Sequence, residues 1–226
     1  MSITVKKPGK SLISASALAR IHTCAHFWHL QCFGDATLVT EPDAGAQLRM
    51  DAGISHEDEV IAKLKVVQPE YPEDKPWEGI EPTLELMRKG VPLIYQGVLK
   101  NGRAFGLPDL LEKTKGKSKL GSFSYRPVDI KSHAKVTSKD KLQLAAYSFM
   151  LQEALGFMPL DGAIILKDQS RVMLTLTLRS AKSNLHLRKL YLLKKRRSQP
   201  CRYGVLSVAF ARGVTTVNWI AKTRSW

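Results

Sequence analysis

The chain has 226 residues, 44% of them hydrophobic, which suits one domain with its own core and excludes two large ones. No apolar run approaches the ~20 residues of a membrane-spanning helix, and Met1-Ser2-Ile3-Thr4-Val5-Lys6-Lys7 lacks the apolar centre of a secretory signal, so a cytoplasmic location away from any membrane is expected. The net charge of +15 is uneven: residues 171–226 hold thirteen Lys and Arg and no acid, which leaves +2 (15 − 13) for the rest.

Taken in chain order, Ser14 or Ser16 caps a first helix in which Leu18 and Ile21 begin an apolar stripe. Cys24 and His26 follow, with Phe27, Trp28 and Leu30 as core candidates. Residues 34–50, with Pro42, Asp43 and Gly45, read as a loop. Ser55-His56-Glu57-Asp58-Glu59 opens a helix that continues through Val60, Ile61 and Leu64, its acids suited to the positive end of the helix dipole. Residues 68–82 carry four prolines and read as a loop, and 83–89 as a short helix stopped by Gly90.

Residues 91–99 then read as a strand, Asn101-Gly102 as a hairpin turn, and 104–111 as the return strand bearing Asp109. A polar turn is expected over 113–119 and a third strand over 122–131. Alternation on that strand sends Val128 and Ile130 to one face and places Asp129 and Lys131 together on the other. A helix is expected over 138–155, with Gly156 just past its end and Gln143 and Tyr147 on one face. A short strand at 163–166 and an alternating stretch at 172–178 complete the pattern, which contains no internal repeat.

Four features now stand in order: Ser55-His56-Glu57, Gly106-Leu107-Pro108-Asp109, Asp129-Ile130-Lys131 and Gln143-x-x-x-Tyr147. Together they resemble the PD-(D/E)XK nuclease superfamily and, within it, the RecB-type branch that includes CRISPR-associated iron–sulfur exonucleases and stand-alone bacterial RecB-like nucleases. The resemblance runs from about Ile13 to Leu166 and more faintly to Cys201. It implies an α/β (α+β) fold with a restriction-endonuclease-like core, in which a central mixed sheet containing an antiparallel meander is flanked by helices. The nuclease core would occupy residues 1–170 and a basic C-terminal segment 171–226. The implied activity is metal-dependent hydrolysis of DNA phosphodiester bonds, with exonucleolytic action as the first reading, in repair, recombination or CRISPR adaptation. Helicases or CRISPR-adaptation proteins would be the protein partners.

The resemblance also assigns roles. Asp109 and Asp129 would hold Mg²⁺ or Mn²⁺, with His56 as a third ligand and the Ile130 carbonyl as a fourth; hard oxygen donors select such ions. Glu57 replaces His56 if the histidine points away. Lys131 would orient water and stabilise the transition state, with Gln143 and Tyr147 holding Lys131 or the phosphate. Cys24 and Cys201 match two iron–sulfur positions, but Gly204 and Phe210 stand where two more cysteines are expected and Cys32 lies outside the pattern, so a [4Fe–4S] cluster is not expected. Three cysteines are also too few for a disulfide framework. The densest basic run, Lys194-Lys195-Arg196-Arg197, suits a nucleic-acid backbone or serves as a solubilising tail. The main alternative is a catalytically decayed nuclease that binds nucleic acid through its basic surface alone.

Overall fold

The structure, a computed structural model, describes residues 13–17, 24, 26, 29, 30, 34–40 and 43–176. The chain divides into two compact units after Leu176, and every described residue lies in the first. Cys32, Cys201, Gly204, Phe210 and the Lys194–Arg197 run fall outside the described residues. The described elements are β1 (Ile13–Ser14), α1 (Ala44–Ile61), α2 (Ile80–Arg88), β2 (Leu93–Tyr95), β3 (Leu99–Asn101), β4 (Ala104–Gly106), β5 (Leu110–Ser118), β6 (Gly121–Ile130), α3 (Ser138–Leu155), β7 (Asp161–Ile165) and β8 (Arg171–Thr175).

The fold is mixed α/β. A five-stranded sheet runs β2-β5-β6-β7-β8, and a three-stranded sheet runs β1-β4-β3. In the larger sheet β6 and β7 are parallel and the other neighbours antiparallel. A parallel pair needs a long crossover, and α3 supplies it between β6 and β7. The ends of α3 are well marked. Thr137 accepts from the Asp140 amide at 3.2 Å, Asp140 accepts from the Thr137 amide at 2.7 Å, and Gly156 ends the helix in the left-handed region at φ 85°. This helix matches the expected span of 138–155.

Two apolar clusters lie on opposite faces of the large sheet. Val60 of α1 packs with Leu110, Val128, Ile130 and Ala163. Leu144 of α3 packs with Ile164 and Leu166, joined by Val136, Val172 and Leu174. Because both faces are covered, β6 is buried almost throughout its second half, Asp129 included.

Several local expectations need correction. Helix α1 begins at Ala44 rather than near Ser55, because Asp43 caps it by accepting from the Ala46 amide at 2.6 Å. His56 and Glu57 therefore sit in its later half, not at its positive end. The stretch 91–99 breaks into β2 and β3 at Gln96, whose φ is +48°. The expected return strand likewise breaks between β4 and β5, so Asp109 lies on the connection that passes from one sheet to the other. The expected polar turn at 113–119 is mostly strand, since β5 continues to Ser118. Leu30 is half exposed rather than core. No described helix is long and apolar enough to cross a membrane.

Candidate active site

Asp129 and Lys131 share a face at the end of β6, as strand alternation requires. Lys131 Nζ lies 2.6 Å from Asp129 Oδ2. Asp129 is fully buried, and no donor among the described residues reaches its Oδ1. A buried carboxylate oxygen without a donor is costly unless a cation or proton supplies what the chain does not.

Asp109 comes to the same place from the other sheet. The β5–β6 register pairs Leu110 with Val128, and one step further along brings Asp109 opposite Asp129. Past the end of β5 the Ile130 amide has no strand partner on that side, and it donates to Asp109 Oδ2 at 2.5 Å. The Asp109 carbonyl in turn accepts from the Gln96 amide at 3.0 Å. Burial pushes the Asp109 carboxyl well above the usual carboxylate range, the Asp129 charge pushes it further, Lys131 offsets this in part, and Glu57 adds to it. Burial draws the Lys131 ammonium down, but Asp129 and Asp109 outweigh it and hold the lysine charged above its ordinary value.

Gln143 and Tyr147 project from α3 toward the same corner. Gln143 Nε2 donates to the Tyr147 hydroxyl at 3.0 Å, and that hydroxyl donates to the Leu107 carbonyl at 3.0 Å. The pair therefore clamps the segment that delivers Asp109, rather than gripping Lys131. Burial raises the Tyr147 hydroxyl well above its ordinary value, and the Asp129 and Asp109 charges raise it further, so it stays protonated and able to donate. Gly106 makes this approach possible: a Cβ there would sit 2.9 Å from Tyr147 Cε1.

On α1, His56 is buried and its Nε2 has no hydrogen-bond partner among the described residues. Glu57 accepts from the Tyr95 hydroxyl at 3.0 Å, and Gln96 Nε2 reaches that hydroxyl at 3.0 Å and Glu57 at 3.5 Å. The charge of Glu57 acts on both Asp109 and Tyr147. Tyr95 and Gln96 belong to the site's surroundings and were not singled out from sequence. Tyr95 looks there like any strand aromatic, and the left-handed backbone of Gln96 leaves no signal in composition. Cys24 is exposed.

Among the described residues no three His, Cys, Asp or Glu side chains form a metal-binding group. The donors that do meet are two carboxylates, of which the Asp129 charge helps raise the Asp109 carboxyl, and a buried Asp129 oxygen without a donor among the described residues. Hard oxygen ligands of this kind fit Mg²⁺ or Mn²⁺, which are commonly held by one or two carboxylates with water completing the shell. Searches against protein-family models and curated proteins return no match to the chain.

Proposed function

We propose that the chain is a metal-dependent deoxyribonuclease with a restriction-endonuclease-like core, of the RecB-type branch. The observation that supports this best is the meeting of a half-buried Asp109 with the fully buried Asp129, tied to β6 through the Ile130 amide, with Lys131 in contact with Asp129. Asp109 and Asp129 would hold Mg²⁺ or Mn²⁺, and the Ile130 carbonyl would add a third oxygen. His56, Glu57 or water would complete the set; the reach of the Glu57 charge to Asp109 favours Glu57. Such an ion, when bound, supplies a more acidic water and offsets charge at the phosphate. Lys131 stays an ammonium, so it donates rather than accepts a proton, which suits it to orient a water and to stabilise the phosphorane-like charge. Gln143 and Tyr147 act by positioning Asp109 through the Leu107 carbonyl.

The test is cleavage of end-labelled single- and double-stranded DNA across a Mg²⁺ and a Mn²⁺ titration. Asp129→Asn is expected to abolish cleavage while DNA binding persists. Lys131→Ala is expected to cost about 10²–10³ in turnover, the scale of losing one transition-state donor, with calorimetric metal affinity changed far less. Wild-type protein that never cuts, or an Asp129→Asn variant that cuts at the wild-type rate, overturns the reading.

A further inference from the structure

The β5–β6 hairpin extends beyond the sheet that carries it. Strand β2 pairs with β5 only over residues 110–112, and β7 pairs with β6 only from Val128 to Ile130. From Thr114 around the turn to Pro127 neither edge is continued by a strand among the described residues, although the Lys113 amide still donates to the Pro92 carbonyl at 2.9 Å and Ser124, Tyr125 and Pro127 are buried. A bare two-stranded ribbon is marginal alone. Here the Lys119 amide donates to the Leu155 carbonyl at the end of α3 at 2.9 Å and steadies it.

This arm is basic and carries no acid. Residues 113–128 contain Lys113, Lys115, Lys117, Lys119 and Arg126, and neither Asp nor Glu. The adjacent Glu112 is already engaged by Arg126, at 2.6 Å, and by Arg171. Lys113, Lys115 and Lys117 are exposed and take part in no ion pair among the described residues. Lys113 is held over the Phe123 ring, 4.3 Å from its centroid, which limits the freedom it would lose on meeting an anion. Lysines this close repel one another in the free protein, and an external anion would relieve that.

The arm leads away from the site, toward the C-terminal end of α3. Leu111, Lys113 and Lys115 face Pro127, Tyr125 and Phe123 across the ladder. Those three lie two, four and six residues before Asp129 on β6, so the lysines share its face of the ribbon, but Leu111, Tyr125 and Pro127 between them and Asp129 are buried. At about 3.4 Å per residue, Lys113 and Lys115 stand about 14 and 20 Å along the strand from Asp129. Lys117 lies past the register shift that follows Lys115, at the tip.

We propose that the β5–β6 ribbon is a DNA-backbone track, in which the exposed Lys113, Lys115 and Lys117 bind successive phosphates away from Asp109 and Asp129. The choice of DNA as the bound anion rests on the nuclease reading, whereas the basic track itself does not. A two-stranded ribbon is also narrow enough to follow a duplex groove.

The experiment uses the full chain in EDTA, where no metal-dependent cutting occurs. Two triple variants with equal charge change are compared: Lys113→Gln/Lys115→Gln/Lys117→Gln, and a control at exposed lysines elsewhere, Lys65→Gln/Lys75→Gln/Lys167→Gln. Anisotropy of a labelled duplex of about 30 base pairs across a salt series should show the log–log slope reduced in magnitude by two to three in the ribbon variant, at about 0.9 per lost phosphate contact, and little changed in the control. Equal slopes in the two variants overturn the proposal. So does wild-type protein that binds no DNA, or a ribbon variant that self-associates with its slope unmoved, which would make the lysines guards of an open strand edge. Loss of binding to phosphatidylserine vesicles without loss of DNA slope overturns it as well. A parallel cleavage assay in Mg²⁺ separates the two readings. Protein with the expected slope change but no cutting fails as a nuclease and keeps the track, and protein that cuts with an unmoved slope keeps the nuclease and loses the track.

Discussion

Asp109 shows how one residue's position governs its chemistry. Its carboxyl is raised by burial and by Asp129, which is the reverse of a typical surface carboxylate. The folded state therefore binds that proton more tightly than the unfolded chain does. The stability this contributes is present below the ordinary carboxylate range and is lost as pH rises through the raised folded value. Metal-free protein is accordingly expected to lose thermal stability over that rise, and Asp109→Asn to flatten the loss. The same proton must leave when a cation enters, so Mg²⁺ binding should release protons, measured as a dependence of calorimetric heat on the buffer's ionisation enthalpy. A melting profile identical in wild type and Asp109→Asn would show that the carboxyl titrates normally. Gln96 matters at this scale too. Its left-handed backbone places its amide on the Asp109 carbonyl and its side chain on Tyr95.

At the scale of elements, helix α3 connects the two sheets. It packs on β3 and β4 of the smaller sheet and on β6 and β7 of the larger one. Asn101 at the end of β3 donates to the Phe149 carbonyl at 2.8 Å, and Tyr147 donates to Leu107. The helix thus fixes the connection on which Asp109 rides. The close contact between Gly106 and Tyr147 makes this testable. Gly106→Ala is expected to destabilise the protein by about 1–3 kcal/mol, the usual cost of overfilling a packed core. It should also weaken metal binding by shifting the Leu107–Asp109 segment. Tyr147→Phe, which removes only the hydroxyl, should reproduce the metal effect with a smaller stability loss. Full metal affinity in both variants would show that α3 does not position Asp109.

On the scale of the molecule, the first compact unit ends at Leu176, and β8 lies within it. Strand β8 pairs with β7 from Arg171↔Ile165 to Thr175↔Asp161, and Val172 and Leu174 join the cluster around Leu144 and Ile164. Arg171 extends a half-buried ion-pair network in which Glu112 meets Arg126 and Arg126 meets Asp161 at 2.9 Å. Residues 171–176 are therefore part of the sheet unit. Val172→Asp in the full chain is expected to cost about 2 kcal/mol or more, because it sets an unpaired charge against the core. A denaturant midpoint equal to wild type would place this strand outside the cooperative unit.

The sequence by itself determined what depends on short-range rules. The span of α3 follows from its capping box and its closing glycine, and the shared face of Asp129 and Lys131 follows from strand alternation. Burial of Val128 and Ile130 on the other face follows from the same alternation. Where a side chain's partner is distant along the chain, tertiary structure alone decided. The start of α1 depends on one cap at Asp43 that composition disguised as loop. The breaks at Gln96 and before Asp109 exist because the chain changes sheets there, and no local propensity encodes that change. Gln143 and Tyr147 were visible as a helical pair, but the carbonyl they hold at Leu107 is 40 residues away from Tyr147. The raised Asp109 carboxyl depends on the same long-range closure, because it arises from burial and from a charge on another strand brought opposite by register.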